Sequence, residues 1–275
     1  MRFTCFAALL ALVLLTQAAF SQNYRTEITT DFSSTDSEFI DEDKGGRVAA
    51  TYYFSPVEIR NHPLAEAAFL EKASNIKVDY VYSKSKENDI FEDISYRSTT
   101  TSHDVTAKVD FYIPDSIFYV GAGIVREKDT HKSEFISGGE TYNSDSTETD
   151  NLWFGSLGLT PIQGLLIWSD FYEDVDLDDH WNLNAKYVTD IAQKTVNIET
   201  SYKDYIDYYS ASLIGDLYLN RTFSVGLGYS YIDVEDFDSY ILRSRKFFTD
   251  TVSVHAAFLN SDYSDTYNIG VDVRF

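Results

Sequence analysis

From residue 23 onward, apolar and polar residues alternate in runs of roughly ten, the length a tilted membrane-crossing strand needs. Two kinds of connection take turns between the runs. Period two sends successive side chains to opposite faces of a strand, so each run carries one apolar and one polar face. Tyr267, Ile269, Val271, Val273 and Phe275 share a face, opposed by Thr266, Asn268, Gly270, Asp272 and Arg274. Val105, Ala107, Val109, Phe111 and Ile113 oppose Thr106, Lys108, Asp110 and Tyr112. Phe223, Val225, Leu227, Tyr229 and Tyr231 oppose Ser224, Gly226, Gly228 and Ser230.

The tight connections share a plan: an aromatic or aliphatic strand end, then Pro, Asp, Thr or Asn, then a new alternation. They fall at Tyr53-Phe54-Ser55-Pro56, Tyr112 to Ile117, Leu159 to Leu165, Tyr187 to Asp190, Tyr218 to Arg221 and Phe247 to Asp250. Longer acidic connections centre near 34–44, 84–98, 128–148, 173–178, 204–207, 233–239 and 260–264. This division predicts an all-β chain, an antiparallel up-and-down transmembrane barrel of about 14 strands, within a range of 12–16 because residues 239–250 alternate weakly. Both chain ends then lie on the short-turn, periplasmic side, and Arg274-Phe275 stands where a seventh corner would fall.

Periodicity alone does not say whether the apolar face meets lipid or a soluble core. Three features favour lipid. The first is residues 1–21, which read as a cleaved signal peptide: a basic start at Arg2, an apolar run from Phe6 to Leu15, and small residues at Ala19 and Ser21. The cut is expected before Gln22, or alternatively after Ala18. Cys5 lies within this segment, which disfavours a lipoprotein, and its removal leaves residues 22–275 as one barrel domain without cysteine. The second is the alternation of short and long connections. The third is the placing of aromatics near strand ends, as in interfacial girdles. Only 4 prolines interrupt the chain, as ladder hydrogen bonding requires. No later run of 18 apolar residues exists, which excludes helical spans. A bacterial outer-membrane location follows.

The stretch Tyr52-Tyr53-Phe54-Ser55-Pro56-Val57 with Pro63-Leu64-Ala65-Glu66-Ala67-Ala68-Phe69-Leu70-Glu71-Lys72-Ala73-Ser74 resembles the putative general bacterial porins of proteobacteria. The resemblance extends over the mature chain, on generic barrel pattern outside that block. It implies the barrel fold and a channel, and says less about the solute. The closing row Tyr267, Ile269, Val271, Val273 and Phe275 is similar to the signal that barrel-assembly machinery recognises. In trimeric general porins the loop after the fifth strand folds inward and narrows the lumen. Glu134, Phe135, Gly138 and Gly139 are similar in position and character, which implies a constriction loop; an exposed loop is the other reading.

The inner face assigned by this pattern carries basic Arg25, Arg47, Lys77, Lys108, Lys186, Lys203 and Arg274. It carries acidic Glu27, Asp31, Asp79, Asp110, Glu199, Asp216 and Asp272. Such rings of charge set ion preference in a water-filled lumen. Cross-strand pairing that stabilises the wall is the alternative. With 44 acidic against 22 basic residues, the chain is a poor nucleic-acid partner. Carboxylates crowd the outer connections, as Asp36, Glu38, Asp41, Glu42 and Asp43, as Glu173, Asp174, Asp176, Asp178 and Asp179, and as Asp233, Glu235, Asp236 and Asp238. They would draw cations to the mouth and hold Ca²⁺ or Mg²⁺ at most diffusely; no metal site or cofactor is expected.

Residues 63–73 break the strand period and read as a short helix in a periplasmic turn, with Pro63 at its first position and Asn61 or His62 as cap. It lies across the periplasmic opening or forms only a corner. His62, His103, His131, His180 and His255 are scattered, with no nucleophile motif, phosphate loop or zinc spacing. A Ser–His pair formed across strands, for example at His180 or His255, is left open, although nothing in the sequence selects it. The expected function is therefore passive diffusion of small hydrophilic solutes and ions, with modest cation preference and outer-membrane lipid as surroundings. A closed barrel acting through acidic loops, or a barrel enzyme, are the alternatives. The oligomeric state is left open.

Overall fold

The computed structural model describes residues 23–37, 40–91, 94–173, 181–234 and 237–275; residues 1–21, Glu38, Asp174, Asp176, Asp178, Asp179, His180, Glu235 and Asp236 lie outside the described residues. Fourteen antiparallel strands close into one barrel. They are β1 (Asn23–Ser37), β2 (Glu42–Glu58), β3 (Asn75–Phe91), β4 (Ile94–Tyr112), β5 (Phe118–Ser137), β6 (Glu140–Leu159) and β7 (Leu165–Tyr172). The second half comprises β8 (Trp181–Ile191), β9 (Lys194–Asp204), β10 (Tyr209–Asn220), β11 (Phe223–Ile232), β12 (Phe237–Phe247), β13 (Val252–Ser261) and β14 (Ser264–Arg274). Each strand pairs with its sequence neighbours, and β1 closes on β14 in the register Glu27↔Arg274 through Ser37↔Ser264. Closure removes the sheet edges that hydrocarbon cannot solvate, which is why barrels cross membranes.

The apolar row faces outward. Phe32, Val48, Val78, Val109, Leu157, Leu213, Leu227, Leu242 and Ile269 are exposed, while alternate neighbours such as Asp31, Arg47 and Asp79 make ion pairs on the opposite face. Phe54, Phe111, Phe118 and Phe248 crowd the short-turn ends; Trp181, Tyr229 and Tyr240 lie toward the other ends. Leu227, at 70% exposure, stands in mid-strand on β11. Leu227→Arg is expected to cost about 2–4 kcal/mol in a bilayer, as for a basic side chain near the midplane. Urea unfolding in liposomes checks this, and an unchanged midpoint would refute the outward placing.

Four of the six short connections fall where the sequence puts them. Two move: Tyr53 to Pro56 lie inside β2, and Tyr187 to Asp190 stay inside β8, whose turn is Ala192-Gln193, with φ of 49° and 67°. A two-residue hairpin of that hand favours Asn and Gly. Thr189-Asp190 carries a turn signal and Ala192-Gln193 does not, so the chain offers no local cue to the true position. Strand β2 also runs on through Pro56 to Glu58, beyond the last pair with β3 at Tyr53↔Asn75, where the missing proline N–H costs no β3 bond.

The barrel is taller on one side. Strands β1 to β6 have 15 to 20 residues, whereas β7 has 8 and β8 to β14 have 10 to 12. What reads as a long loop at 128–148 is strand, and β5 turns into β6 through Gly138-Gly139 alone, at φ of 58° and 84°. Such positive angles are cheap for glycine. Periodicity is hard to see here because both faces of this projecting hairpin are hydrated and neither needs apolar residues.

Candidate functional site: a charged lumen with an internal floor

The inner face gathers its charges into two networks. In the first, Arg47 of β2 donates through Nε and Nη2 to Asp79 of β3, at 2.9 and 2.5 Å to Oδ2, and through Nη1 to Asp31 of β1 at 3.4 Å. Lys77 Nζ adds a contact to Asp79 at 3.3 Å. Asp31 also meets His255 Nε2 at 2.6 Å, although β14 lies between their strands. The gap is bridged at Gly270, where a Cβ would collide with both His255 and Asp31. Period two makes Gly270 an inner-face residue, and its lack of a side chain lets the pair meet over it.

His255 Nδ1 faces Asp272 at 3.2 Å, and Ser253 Oγ donates to the same carboxylate at 2.6 Å. Both imidazole nitrogens therefore face carboxylates and the serine is turned to Asp272. The Ser–His arrangement left open by the sequence is not formed at His255. Arg245 Nε lies 3.5 Å from Asp272 and extends the chain of charge onto β12.

The second network spans β8 to β12. Arg243 holds Asp216 through two parallel bonds, Nε to Oδ1 at 2.8 Å and Nη2 to Oδ2 at 2.5 Å, and reaches Glu199 at 3.3 Å. Gly226 on the intervening β11 leaves the space for this fork. Buried Asn197 donates to Glu199 at 2.7 Å and to Asp216 at 2.8 Å. Lys186 lies 3.2 Å from Glu199 and 2.8 Å from Glu66. Lys108 and Asp110 form a smaller pair on β4 at 3.1 Å, joined by Tyr119.

Glu66 does not belong to the wall. It sits on the connection 59–74, which folds as a 3₁₀ turn, Leu64–Glu66, and one α-helical turn, Ala67–Leu70. This connection enters the lumen and is clamped around the circumference. Tyr218 of β10 donates to Glu66 at 2.5 Å, and Arg274 of β14 donates to the Leu64 carbonyl at 2.7 Å. Lys72 donates to Thr160 in the β6–β7 turn at 2.8 Å, and Lys186 Nζ lies 5.1 Å from the centre of the Phe69 ring. Small Ala67 and Ala68 allow close packing against Tyr24, Tyr53 and Val57. The cap predicted at Asn61 or His62 is absent; Pro63 holds that position without a side-chain cap bond. The Leu64 N–H is satisfied by the Arg221 carbonyl at 2.9 Å, so the turn is capped from the opposite wall.

Above this floor lies a cavity of 520 Å³, with Ala65 and Glu66 below and Arg47, Glu199, Arg243 and Arg245 around it. Its carboxylates, Asp31, Glu66, Glu199 and Asp216, are matched by Arg47, Lys186, Arg243 and Arg245. A further set of carboxylates lies nearer the outer ends of the strands. Asp104↔Glu127 and Glu127↔Asp150 are directly opposed across β4, β5 and β6, on the face away from Val105 and Trp153. Like charges so placed repel and raise the local negative potential.

Of the residues assigned to the inner face, Glu27, Asp31, Arg47, Lys77, Asp79, Lys108, Asp110, Lys186, Glu199, Asp216, Asp272 and Arg274 all make ion pairs. Arg25 is exposed beside a bulge between Tyr24 and Thr26, and Tyr24 takes the buried place instead. Lys203 is exposed in a second hollow lined by β7, β8 and β9. The constriction segment is a correction: Glu134 and Phe135 pair with Asn143 and Tyr142 in the outer hairpin, and Gly138-Gly139 form its tip. Residues of β5 that keep full ladder pairing to both neighbours are not free to fold inward. Arg243, Arg245 and Glu66 were not identified from the sequence. The exposed row Tyr240 and Leu242 implies the two arginines by period two, whereas nothing local marks Glu66 as luminal.

Comparison with known proteins agrees with this architecture. The family described as "Putative general bacterial porin" matches residues 4–275. The crystal structure of the Acinetobacter baumannii outer membrane protein Omp33 superposes with a TM-score of 0.67 at 20% identity, covering 93% of this chain and 100% of that one. A Pseudomonas aeruginosa FadL homologue gives 0.60 at 8% identity, over 94% of this chain and 91% of the other. At these identities the likeness is one of fold. A search among curated proteins returned no match.

Proposed function

We propose a function from one premise: the chain belongs to the putative general bacterial porin family, an outer-membrane β-barrel lineage. The function is passive diffusion of small hydrophilic solutes and ions through the lumen, limited by the segment 59–74. The observation that carries it is the 520 Å³ cavity inside the barrel, walled by charged side chains and floored by Ala65 and Glu66. An apolar-filled barrel needs no such lining, and a hydrated path accounts for it. Lys203 and the paired charges of both networks would be the pore-lining set, filtering by size and field.

The lining around the cavity is close to balanced, so a preference for cations has to arise above it. Asp104, Glu127 and Asp150 supply the negative field there. In a KCl gradient across a planar bilayer, the purified protein is expected to give discrete steps and a cation-directed reversal potential. Glu127→Gln with Asp150→Asn is expected to move that potential toward zero. A complete absence of steps, even after removal of the floor, would refute diffusion; an anion-directed potential would refute only the selectivity.

The clamped floor favours a second reading, a closed barrel that acts through its outer surface. The same recordings separate the two. For either reading, delivery through a cleaved signal peptide, recognition of Tyr267, Ile269, Val271, Val273 and Phe275 by barrel-assembly machinery, and diffuse Ca²⁺ or Mg²⁺ at the rim are parts of the proposal.

A further inference from the structure

We propose that the free outer edge of β6, residues 140–152, docks an extended basic polypeptide segment, which joins the sheet as one more strand. The proposal is independent of the channel reading. It begins with the uneven barrel height: β6 has 20 residues and its neighbour β7 only 8. Their pairs run from Leu159↔Ile167 to Phe154↔Tyr172. Beyond Trp153, β6 is paired only to β5 among the described residues.

The direction of the unused backbone groups can be derived. The Trp153 carbonyl accepts from the Glu173 N–H at 3.0 Å, and the Trp153 N–H donates to the Glu173 side chain at 3.2 Å. Both groups of Trp153 therefore point away from β5. In an antiparallel strand the N–H and C=O of one residue point the same way, and successive residues alternate. The β5–β6 register is unbroken from Phe118↔Leu159 to Ser137↔Glu140, so the parity holds throughout. The two-residue turn at Gly138-Gly139 agrees, since it makes Ser137 and Glu140 the closing hydrogen-bonded pair. Thr141, Asn143, Asp145, Thr147, Thr149 and Asn151 thus present N–H and C=O to the open side.

Such an edge is usually blunted by proline, lysine or a bulge. Residues 140–152 contain none of these, and every residue from 140 to 151 is exposed. Their charge selects the occupant. Glu140, Asp145, Glu148 and Asp150 lie on the edge strand without a basic residue, and among the described residues only Asp145 has an ion-pair partner, Lys132 at 3.3 Å. Glu127 and Asp129 face Asp150 and Glu148 from β5. A second copy would bring the same carboxylates and neutralise nothing. A strand with lysine or arginine at alternate positions gains ladder bonds and opposite-charge pairs together.

The test uses the full chain, folded in detergent, and a fluorescent peptide of about ten alternating lysine and threonine residues, long enough to span the edge. Anisotropy is expected to show binding that weakens at least roughly ten-fold in Asn143→Pro/Thr147→Pro, which removes two edge N–H groups and no β5 bond. On binding, the amides of 141, 143, 145, 147 and 149 should gain hydrogen-exchange protection and their even-numbered neighbours should not. Glu148→Lys/Asp150→Lys should weaken this peptide and favour a glutamate–threonine one, and it serves should the proline variant fail to fold. Four outcomes overturn the proposal: no binding, equal binding by a folded proline variant, protection without the odd-number pattern, or self-association of the chain through this edge.

Discussion

Deleting residues 61–72 is expected to raise the single-channel conductance several-fold, the largest functional effect any change to this chain should produce. Residues 54–60 and 73–74 remain to join β2 to β3, whose last pair is Tyr53↔Asn75. The excised piece contains Leu64, Glu66 and Phe69, which hold the floor against β14, β10 and β8. A point variant tests the same idea with the chain length kept. The Glu66 side chain is 4% exposed and receives Tyr218 and Lys186. Removing one partner of a buried pair costs about 3–5 kcal/mol when the other charge is stranded. Lys186 keeps Glu199, so Glu66→Ala should weaken the seating by less, about 2–3 kcal/mol. At 1.4 kcal/mol per decade, the unseated population rises roughly 30- to 140-fold. In recordings this appears as brief openings that lengthen in the variant. In hydrogen exchange it appears as faster exchange of residues 64–70. A deletion variant that folds but conducts no better than the parent would show that passage is limited elsewhere.

How much of this could be read beforehand depends on which force fixes each feature. Strand number and facing were legible because lipid demands an apolar side chain at every second residue, as at Tyr267, Ile269 and Val271. The true end of β8 was not, because Ala192-Gln193 lack turn chemistry and the closure of the barrel imposes the hairpin regardless. The outer reach of β5 and β6 was hidden for the opposite reason. Water covers both faces there, so no periodic constraint is written into residues 128–148. At the candidate site, paired residues such as Arg47 and Asp79 were legible from face alone. The links that skip a strand, His255 to Asp31 and Arg243 to Asp216, depend on Gly270 and Gly226 in register with them, which only the folded barrel reveals. Glu66 is the extreme case. Its block breaks the strand period visibly, but the inward fold rests on Arg221, Tyr218 and Arg274, all more than a hundred residues away.

Arg274→Ala is expected to cause the largest loss of stability, because a single guanidinium ties the barrel seam to the floor. Its Nε donates to Glu27 across the β1–β14 closure at 2.5 Å, and its Nη1 donates to the Leu64 carbonyl at 2.7 Å. The group lies between the rings of Tyr24 and Phe247, at 4.6 and 4.7 Å from their centres, and Arg274 is 3% exposed. Truncation strands the Glu27 carboxylate, leaves the Leu64 carbonyl without this donor and opens a void between two aromatics. Breaking the pair alone should cost about 3–5 kcal/mol. Arg274→Lys keeps the charge but not the fork, since a point ammonium cannot hold both acceptors and stack as a plane; it should fall between the parent and the alanine variant. Urea unfolding in liposomes measures the series, with Glu27→Gln completing a double-mutant cycle. If the Glu27 pair dominates, adding Glu27→Gln to Arg274→Ala should recover part of the loss, because no carboxylate is then left unpaired. If instead the aromatic stacking dominates, the double variant stays as unstable as the alanine variant and lysine rescues little. An alanine variant within about 1 kcal/mol of the parent, well below the cost of breaking a buried pair, would show that the seam does not depend on this residue.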